Sequence, residues 1–120
     1  MKDISMAQMM QMQMDLWEKN KQSWNAMEPE EARNMMLWMI EEVGEAIAII
    51  KKKGEKDIMT DPEVRTRFIE EMVDVMMYYS AVLLRLKITS EEFASKYEEK
   101  QNFNLNRDFN RDNKEFISKK

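Results

Sequence analysis

Two clusters of carboxylates with the same spacing lie inside the most apolar stretches of this chain. They are Glu41-Glu42-x-x-Glu45 and Glu70-Glu71-x-x-Asp74, and apolar residues directly flank both. If both stretches are helical, the first, second and fifth positions of a cluster fall within one arc of roughly 100°. Each helix then presents a stripe of acids.

Facing stripes of like charge need a cation between them. Like charges on one helix face destabilise it, and the effect grows when the charges lose water. Ligands that offer only oxygen atoms select a hard ion, so the clusters indicate Mg²⁺, with Mn²⁺ able to substitute. The alternative is that both stripes are solvated faces of a charged bundle, as a single acidic pair usually is.

The rest of the composition narrows the chemistry. The chain has no cysteine and no histidine, which excludes disulfides, thiol nucleophiles, Ser-His-Asp triads and metal sites that need those ligands. A net charge of −4 argues against a nucleic-acid partner. The sequence shows neither a membrane-length apolar run nor a signal-peptide pattern, so we expect a cytoplasmic chain with no membrane partner.

Helices are expected to position these groups. Two glycines and two prolines in 120 residues are too few for a fold rich in turns, which predicts an all-α chain. Residues 1–110 form one predicted helical domain, followed by a polar tail of residues 111–120. The third predicted helix is apolar on nearly every side in its middle, as is typical of a helix buried all round. We therefore expect a partner subunit, in a homodimer or a dimer of dimers.

Local signals mark the ends of four predicted helices. Ser5 is the expected N-cap of the first, which runs to about Lys21. Pro29 begins the second, which Gly54 ends before a short linker. The third begins at Asp61-Pro62-Glu63 and runs to about Lys87, and a capping box at Thr89-Ser90-Glu91-Glu92 begins the fourth.

Aromatic residues could contact a ligand beside the acids. Tyr78 lies one turn beyond Asp74 and could reach a ligand held at the metal. Trp17, Trp24 and Trp38 could stack on a nucleobase, or pack in the core. The pattern favours core packing for tryptophans in apolar helices, whereas the polar segment around Trp24 favours a binding role there.

A lysine, an amide and an arginine occur late in the chain at helical spacing. Lys100, Asn104 and Arg107 share one helical face if the fourth helix continues that far. Such a face suits phosphate oxygens, with the lysine as a point charge and the arginine as a fork.

The spacing of the acids resembles the signature of the all-α nucleoside triphosphate pyrophosphohydrolases. That superfamily includes MazG, the dimeric dUTPases, the dCTP pyrophosphatases and phosphoribosyl-ATP pyrophosphohydrolase. The resemblance covers about residues 30–107 and rests on Glu-Glu-x-x-Glu, 25 intervening residues, Glu-x-x-Asp and a late Lys-x-x-x-Asn-x-x-Arg. It implies a homo-oligomeric, four-to-five-helix antiparallel bundle of the MazG type. It also implies hydrolysis of a nucleoside triphosphate to the monophosphate and pyrophosphate, in nucleotide-pool house-cleaning.

The resemblance also implies roles for single residues. The implied Mg²⁺ ligands are Glu42, Glu45, Glu71 and Asp74, the implied catalytic acids are Glu41 and Glu42, and the implied phosphate contacts are Lys100, Asn104 and Arg107. Glu41 would orient a water or act as general base, and Tyr78 would contact the ligand. Lys52 stands where the dCTP pyrophosphatases carry a base-contacting tryptophan, and the family's N-terminal histidines are missing. The base is therefore not predicted.

A second class of function fits the same residues. A non-catalytic helical homodimer, acting as a nucleotide sensor or as an adaptor for a basic protein, would also carry an acidic stripe. An adaptor predicts no stabilisation by metal. A sensor predicts stabilisation by metal and nucleotide without any product.

Overall fold

All regular secondary structure in the described part of the chain is helical, as the composition predicts. The structure is a computed structural model that describes residues 2–108 and 110. Its α-helices are α1 (Met6–Asn20), α2 (Ala32–Thr60), α3 (Pro62–Arg85) and α4 (Ser90–Leu105), and the same residues contain no strand. They form two compact units that divide between Thr89 and Ser90. The predicted polar tail lies outside the described residues.

Helix α1 begins at its predicted cap. The Ser5 hydroxyl accepts a hydrogen bond from the Gln8 N–H at 3.1 Å, and the Gln8 side chain accepts one from the Ser5 N–H at 2.7 Å. This reciprocal pair satisfies two donors that would otherwise lack a partner. The apolar stripe of the helix then turns inward, with Met10 buried, and packs on α3. Residues 21–28 follow as an irregular loop.

Helix α2 is longer than predicted because helical structure resumes after Gly54. Pro29 begins one 3₁₀ turn, Pro29–Glu31, that leads into the helix. At Gly54 φ is 83° and ψ is 159°, so the helix breaks at the predicted residue. The predicted linker is wrong, since residues 55–60 are helical again. This segment contains good helix formers and neither glycine nor proline.

Helix α3 begins at the predicted aspartate and ends two residues early. The Asp61 side chain accepts from the N–H of Glu63 at 3.0 Å and of Val64 at 3.4 Å. At the other end, Lys87 has a φ of 58°, and the Ile88 N–H donates back to a carbonyl in the last turn. That left-handed residue closes the helix at its C-terminus.

Helices α2 and α3 form the antiparallel pair that carries both acid clusters. The Trp38 ring contacts the Tyr78 ring at a centroid distance of 6.1 Å. Further along, Glu45 meets Glu71. Rising numbers on α2 therefore meet falling numbers on α3, and the two clusters come to the same level of the pair.

Apolar stripes of α2 and α3 are uncovered in the single chain. Their side chains are between 39% and 62% exposed: Met36, Ile40, Val43 and Ile47 on α2, and Ile69, Met72, Val73 and Met76 on α3. Within one chain, α3 is therefore not buried on every side. Exposed apolar stripes of this size are typical of surfaces that bind another protein.

Helix α4 ends before the last predicted phosphate contact. The Asn106 side chain donates to the Asn102 carbonyl at 2.8 Å, so a local hydrogen bond competes with the helical ladder at its end. Arg107 lies beyond the helix. The condition under which Lys100, Asn104 and Arg107 share a helical face is therefore not met. None of the described helices combines the length and apolar character needed to cross a membrane.

Candidate metal centre and adjoining cavity

Three of the four predicted metal ligands converge between α2 and α3. One carboxylate oxygen from each of Glu42, Glu45 and Glu71 lies within 4.8 Å of the other two. Glu42 and Glu45 lie three residues apart on α2 and so share a face. Glu71 reaches them from α3. The matched spacing of the two clusters therefore brings carboxylates from both helices together.

Burial and repulsion between like charges raise the pKa values of these acids. Burial raises the pKa of Glu42 to about 7, and a hydrogen bond to Glu71 and the charges of Glu45 and Asp74 act in the same direction. Burial also raises the pKa of Glu71, as do a hydrogen bond to Glu45 and the charge of Glu45. Protonated Glu42 can donate to Glu71, which by itself lowers the pKa of Glu71, and protonated Glu71 can donate to Glu45. Acids placed in this way bind either protons or a cation.

One oxygen of the cluster has no protein donor. The Glu71 Oε2 atom is buried and accepts no hydrogen bond from the part of the chain that the structure describes. A buried carboxylate oxygen is costly unless a donor or a cation compensates it. Carboxylates from two helices, without histidine or cysteine, are the ligand set of a hard divalent ion. The residues present therefore fit Mg²⁺ or Mn²⁺.

The two remaining acids of the motif lie at the margin of this group. Asp74 is half-buried and lies outside the 4.8 Å group, but its charge raises the pKa of both Glu42 and Glu71. Glu41 is exposed to solvent and adds to the negative charge around Tyr78. Asp74 is thus close enough to act on the cluster electrostatically, and Glu41 is open to water.

A cavity of about 430 Å³ adjoins the acids. Its lining includes Asp74 and every aromatic residue singled out in the sequence, namely Trp17, Trp24, Trp38 and Tyr78. Trp38 and Tyr78 meet edge to face, with an interplanar angle of 63°. Burial, followed by the charges of nearby acids, raises the pKa of Tyr78, so its phenol stays protonated and can donate a hydrogen bond.

A buried arginine holds the loop that borders this cavity. Arg85 is only 4% exposed, and its guanidinium donates to the carbonyls of Asn25 and Ala26, each at 3.0 Å. The Trp17 indole N–H donates to the same Asn25 carbonyl at 2.8 Å. These bonds fix the loop that carries Trp24. Trp17 therefore both lines the cavity and anchors its rim.

Sequence reasoning missed Arg85. Burial lowers the pKa of this arginine, and the charge of Glu31 opposes the change. The one available signal was an arginine at the end of the apolar run 81–84. Besides the Ala81 carbonyl one turn back, its carbonyl partners are 59 and 60 residues away along the chain, so no local pattern could identify the contact with the loop.

The predicted phosphate contacts lie in and just after α4. The Lys100 Nζ atom lies 5.6 Å from the centroid of the Phe103 ring, and the Arg107 guanidinium lies 5.8 Å from it. Asn104 is half-buried, and its side-chain oxygen accepts no hydrogen bond from the described residues. Lys100 and Arg107 thus both lie close to the Phe103 ring, although α4 ends between them.

Compared with protein-family models, with curated proteins and with solved structures, the chain gives no match. The features that point to a function are therefore those of the site itself: the convergent carboxylates, the buried Glu71 oxygen and the aromatic cavity lined by Asp74.

Proposed function

We propose that this chain is a Mg²⁺-dependent nucleoside triphosphate pyrophosphohydrolase of the MazG-like superfamily. The observation that carries the proposal is the convergence of Glu42, Glu45 and Glu71 within 4.8 Å, next to a cavity with four aromatic residues. Such a reaction needs two parts. One is a group of acids that binds a hard ion, and the other is a cavity that accommodates a ring system. Nucleotide-pool house-cleaning is the role this activity would serve in the cytoplasm.

The carboxylates would hold the ion beside the phosphates of the substrate. Glu42, Glu45 and Glu71 supply the converging oxygens, and Asp74 completes the set from the cavity side. When bound, Mg²⁺ neutralises charge on phosphate oxygens and lowers the pKa of a nearby water. The resemblance also implies contacts to phosphate oxygens from Lys100, Asn104 and Arg107, with the arginine as a fork.

Glu41 would handle the attacking water. Because it is exposed beside the half-buried Glu42, it can orient a water molecule and take its proton. The water oxygen attacks the phosphorus nearest the sugar, and the bond from that phosphorus to the bridging oxygen breaks. The products are the nucleoside monophosphate and pyrophosphate.

The aromatic cavity would bind the nucleobase. Trp24 is 42% exposed and can stack on an entering ring, while Trp38 and Tyr78 line the same cavity as an edge-to-face pair. The Tyr78 phenol is a hydrogen-bond donor close to the acids. Stacking tolerates any base, so the substrate has to be found by measurement.

The active species would be a homodimer or a dimer of dimers. The apolar stripes of α2 and α3 remain exposed in the single chain, and they lie on the same two helices as the acids. A second copy that covers these stripes would remove apolar side chains from water and restrict the motion of the metal-binding helices.

Pyrophosphate release tests the reaction directly. We would assay the common, deaminated and oxidised nucleoside triphosphates, each with Mg²⁺, Mn²⁺ or EDTA. We expect metal-dependent release from one or a few of them. Glu45→Ala and Asp74→Ala should each lower turnover at least a hundredfold while far-UV circular dichroism stays unchanged.

Glu70→Gln is the matched control. Glu70 belongs to the same acidic run on α3 but is exposed and outside the converging group, so its substitution should change turnover less than twofold. Wild-type turnover in both alanine variants would contradict the proposal. Stabilisation by metal and nucleotide with no product would instead indicate a sensor, and no metal response at all would indicate an adaptor.

A further inference from the structure

A second groove lies between α2 and α3, next to the acid cluster. It has a volume of about 460 Å³, and Glu45 and Glu71 form part of its wall. The rest of its charged lining is basic, with Lys52 and Lys53 from α2 and Arg67 from α3. The converging carboxylates therefore border a basic groove through Glu45 and Glu71, while the neighbouring Asp74 lines the aromatic cavity.

The aromatic, acidic and basic groups follow one another along the helix pair. On α2 they occur at intervals of seven residues, which is close to two full turns and about 10 Å, at Trp38, Glu45 and Lys52. On α3 the same order runs in the opposite direction, at Tyr78, Glu71 and Arg67. Because the helices are antiparallel, the first two pairs lie at the same level, and Lys52 and Arg67 lie within about one turn of each other along the helix axis. The order gives the site a direction, from the aromatic end to the basic end.

The basic side chains of the groove do not form ion pairs with the neighbouring acids. Lys52, Lys53 and Arg67 are exposed, and among the described residues none of them forms an ion pair with Glu45 or Glu71. Three cations that face one groove repel each other unless an anion lies between them. An anion long enough to contact both the metal and these three side chains would reduce their repulsion.

We infer that this groove binds the terminal phosphates of a polyphosphate chain that extends from the metal. The inference rests on the proposed function, and it adds the direction in which the substrate lies. The nucleoside would occupy the aromatic cavity, the reacting phosphate would meet the acids, and the outgoing pyrophosphate would lie against Lys52, Lys53 and Arg67. Lysines supply point charges to phosphate oxygens, and arginine supplies a two-pronged contact.

Binding of inorganic pyrophosphate and tripolyphosphate tests the groove without any nucleoside. Calorimetric titrations with Mg²⁺ would compare the full-length wild type with a Lys52→Ala/Lys53→Ala/Arg67→Ala variant. The matched control is Lys51→Ala/Lys56→Ala/Arg33→Ala, which removes the same charge at exposed positions outside the groove. We expect the groove variant to weaken both ligands at least tenfold and the control to change affinity less than twofold.

Metal binding alone separates the groove from the acid cluster. The rise in melting temperature on adding Mn²⁺ should be the same in the groove variant and the wild type, because the carboxylates are intact. Equal affinity of the groove variant and the wild type for pyrophosphate would overturn the inference, as would equal losses in the groove variant and the control. Nucleoside triphosphate hydrolysis with an unchanged KM in the groove variant would also overturn it while leaving the proposed function in place. Groove-dependent binding of pyrophosphate without any nucleoside triphosphate hydrolysis would support the inference and contradict the proposed function.

Discussion

At the scale of single residues, Glu42 makes the stability of the protein depend on pH and on metal binding. The pKa of this carboxyl is about 7 in the folded chain, against an ordinary value of 4.5. A raised pKa means that the folded state binds the proton more tightly than the unfolded state does. The stability that comes from this proton is complete below about pH 4.5 and is lost as the pH rises through about 7.

We therefore predict that the metal-free protein becomes less stable between these two pH values. The free energy of unfolding should fall by about 1 kcal/mol, since solvent screening reduces the effect at a half-buried group. The fall should be smaller in Glu42→Gln, which cannot ionise. Saturating Mg²⁺ should remove most of it in the wild type, because the ion replaces the proton.

Urea unfolding followed by circular dichroism at several pH values, with EDTA or Mg²⁺, measures these differences. Glu70→Gln serves again as control, because that exposed acid lies outside the converging group. An identical pH dependence in the wild type and Glu42→Gln would show that Glu42 is not the group responsible.

At the scale of helices, most starts were predictable from the sequence because their causes are local. Ser5 with Gln8, and Asp61 with Glu63 and Val64, place a cap and its partners within three residues, and both caps form in the structure. The sequence also identified Gly54 as a break. It could not show that the following residues return to a helix, since the orientation after a break depends on packing.

The convergence of the acids and the aromatic residues near them could be anticipated from the sequence, but the basic groove and the Arg85 anchor could not. Helix periodicity alone puts Glu42 and Glu45 on one face, and equal spacing suggested that Glu71 would face them. The basic groove depends on the register of α2 against α3. That register brings Lys52 and Arg67 to one groove, and it arises from contacts between residues distant in sequence, as does the Arg85 anchor.

The two glycines of α2 should respond to alanine in opposite ways. At Gly54, φ of 83° with ψ of 159° is a conformation that only glycine adopts readily, so Gly54→Ala should destabilise the protein by about 1–3 kcal/mol. Gly44 lies within the helix, and a Cβ there would meet no atom within 4 Å. Gly44→Ala should therefore stabilise the chain by about 0.5–1 kcal/mol.

Chemical denaturation of the two variants beside the wild type provides the measurement. Each variant serves as the other's control, because both add the same methyl group to the same helix. If Gly54→Ala were as stable as the wild type, the break would tolerate an ordinary residue, and the left-handed conformation would not be what separates residues 55–60 from the rest of α2.

At the scale of the whole molecule, the surface of the α2–α3 pair has to meet two requirements. One part of α2 and α3 must stay open for the ligand, with the cavity and the basic groove adjoining the acids. The apolar stripes need cover, because Ile40 is 62% exposed and Ile47 is 49% exposed in the single chain. Self-association through the stripes would satisfy the second requirement and leave the first intact.

We predict that the protein in solution has the mass of two or four chains and that the α2 stripe holds it together. Burying one isoleucine contributes about 1.5–3 kcal/mol, so charging Ile40 and Ile47 removes a large part of the interface energy. Size-exclusion chromatography with light scattering should show Ile40→Glu/Ile47→Glu at the mass of one chain. Met59→Glu is the control, since Met59 is 73% exposed and outside both stripes, and it should keep the wild-type mass. A wild type that stays monomeric at micromolar concentration would refute self-association and leave the stripes to a different protein.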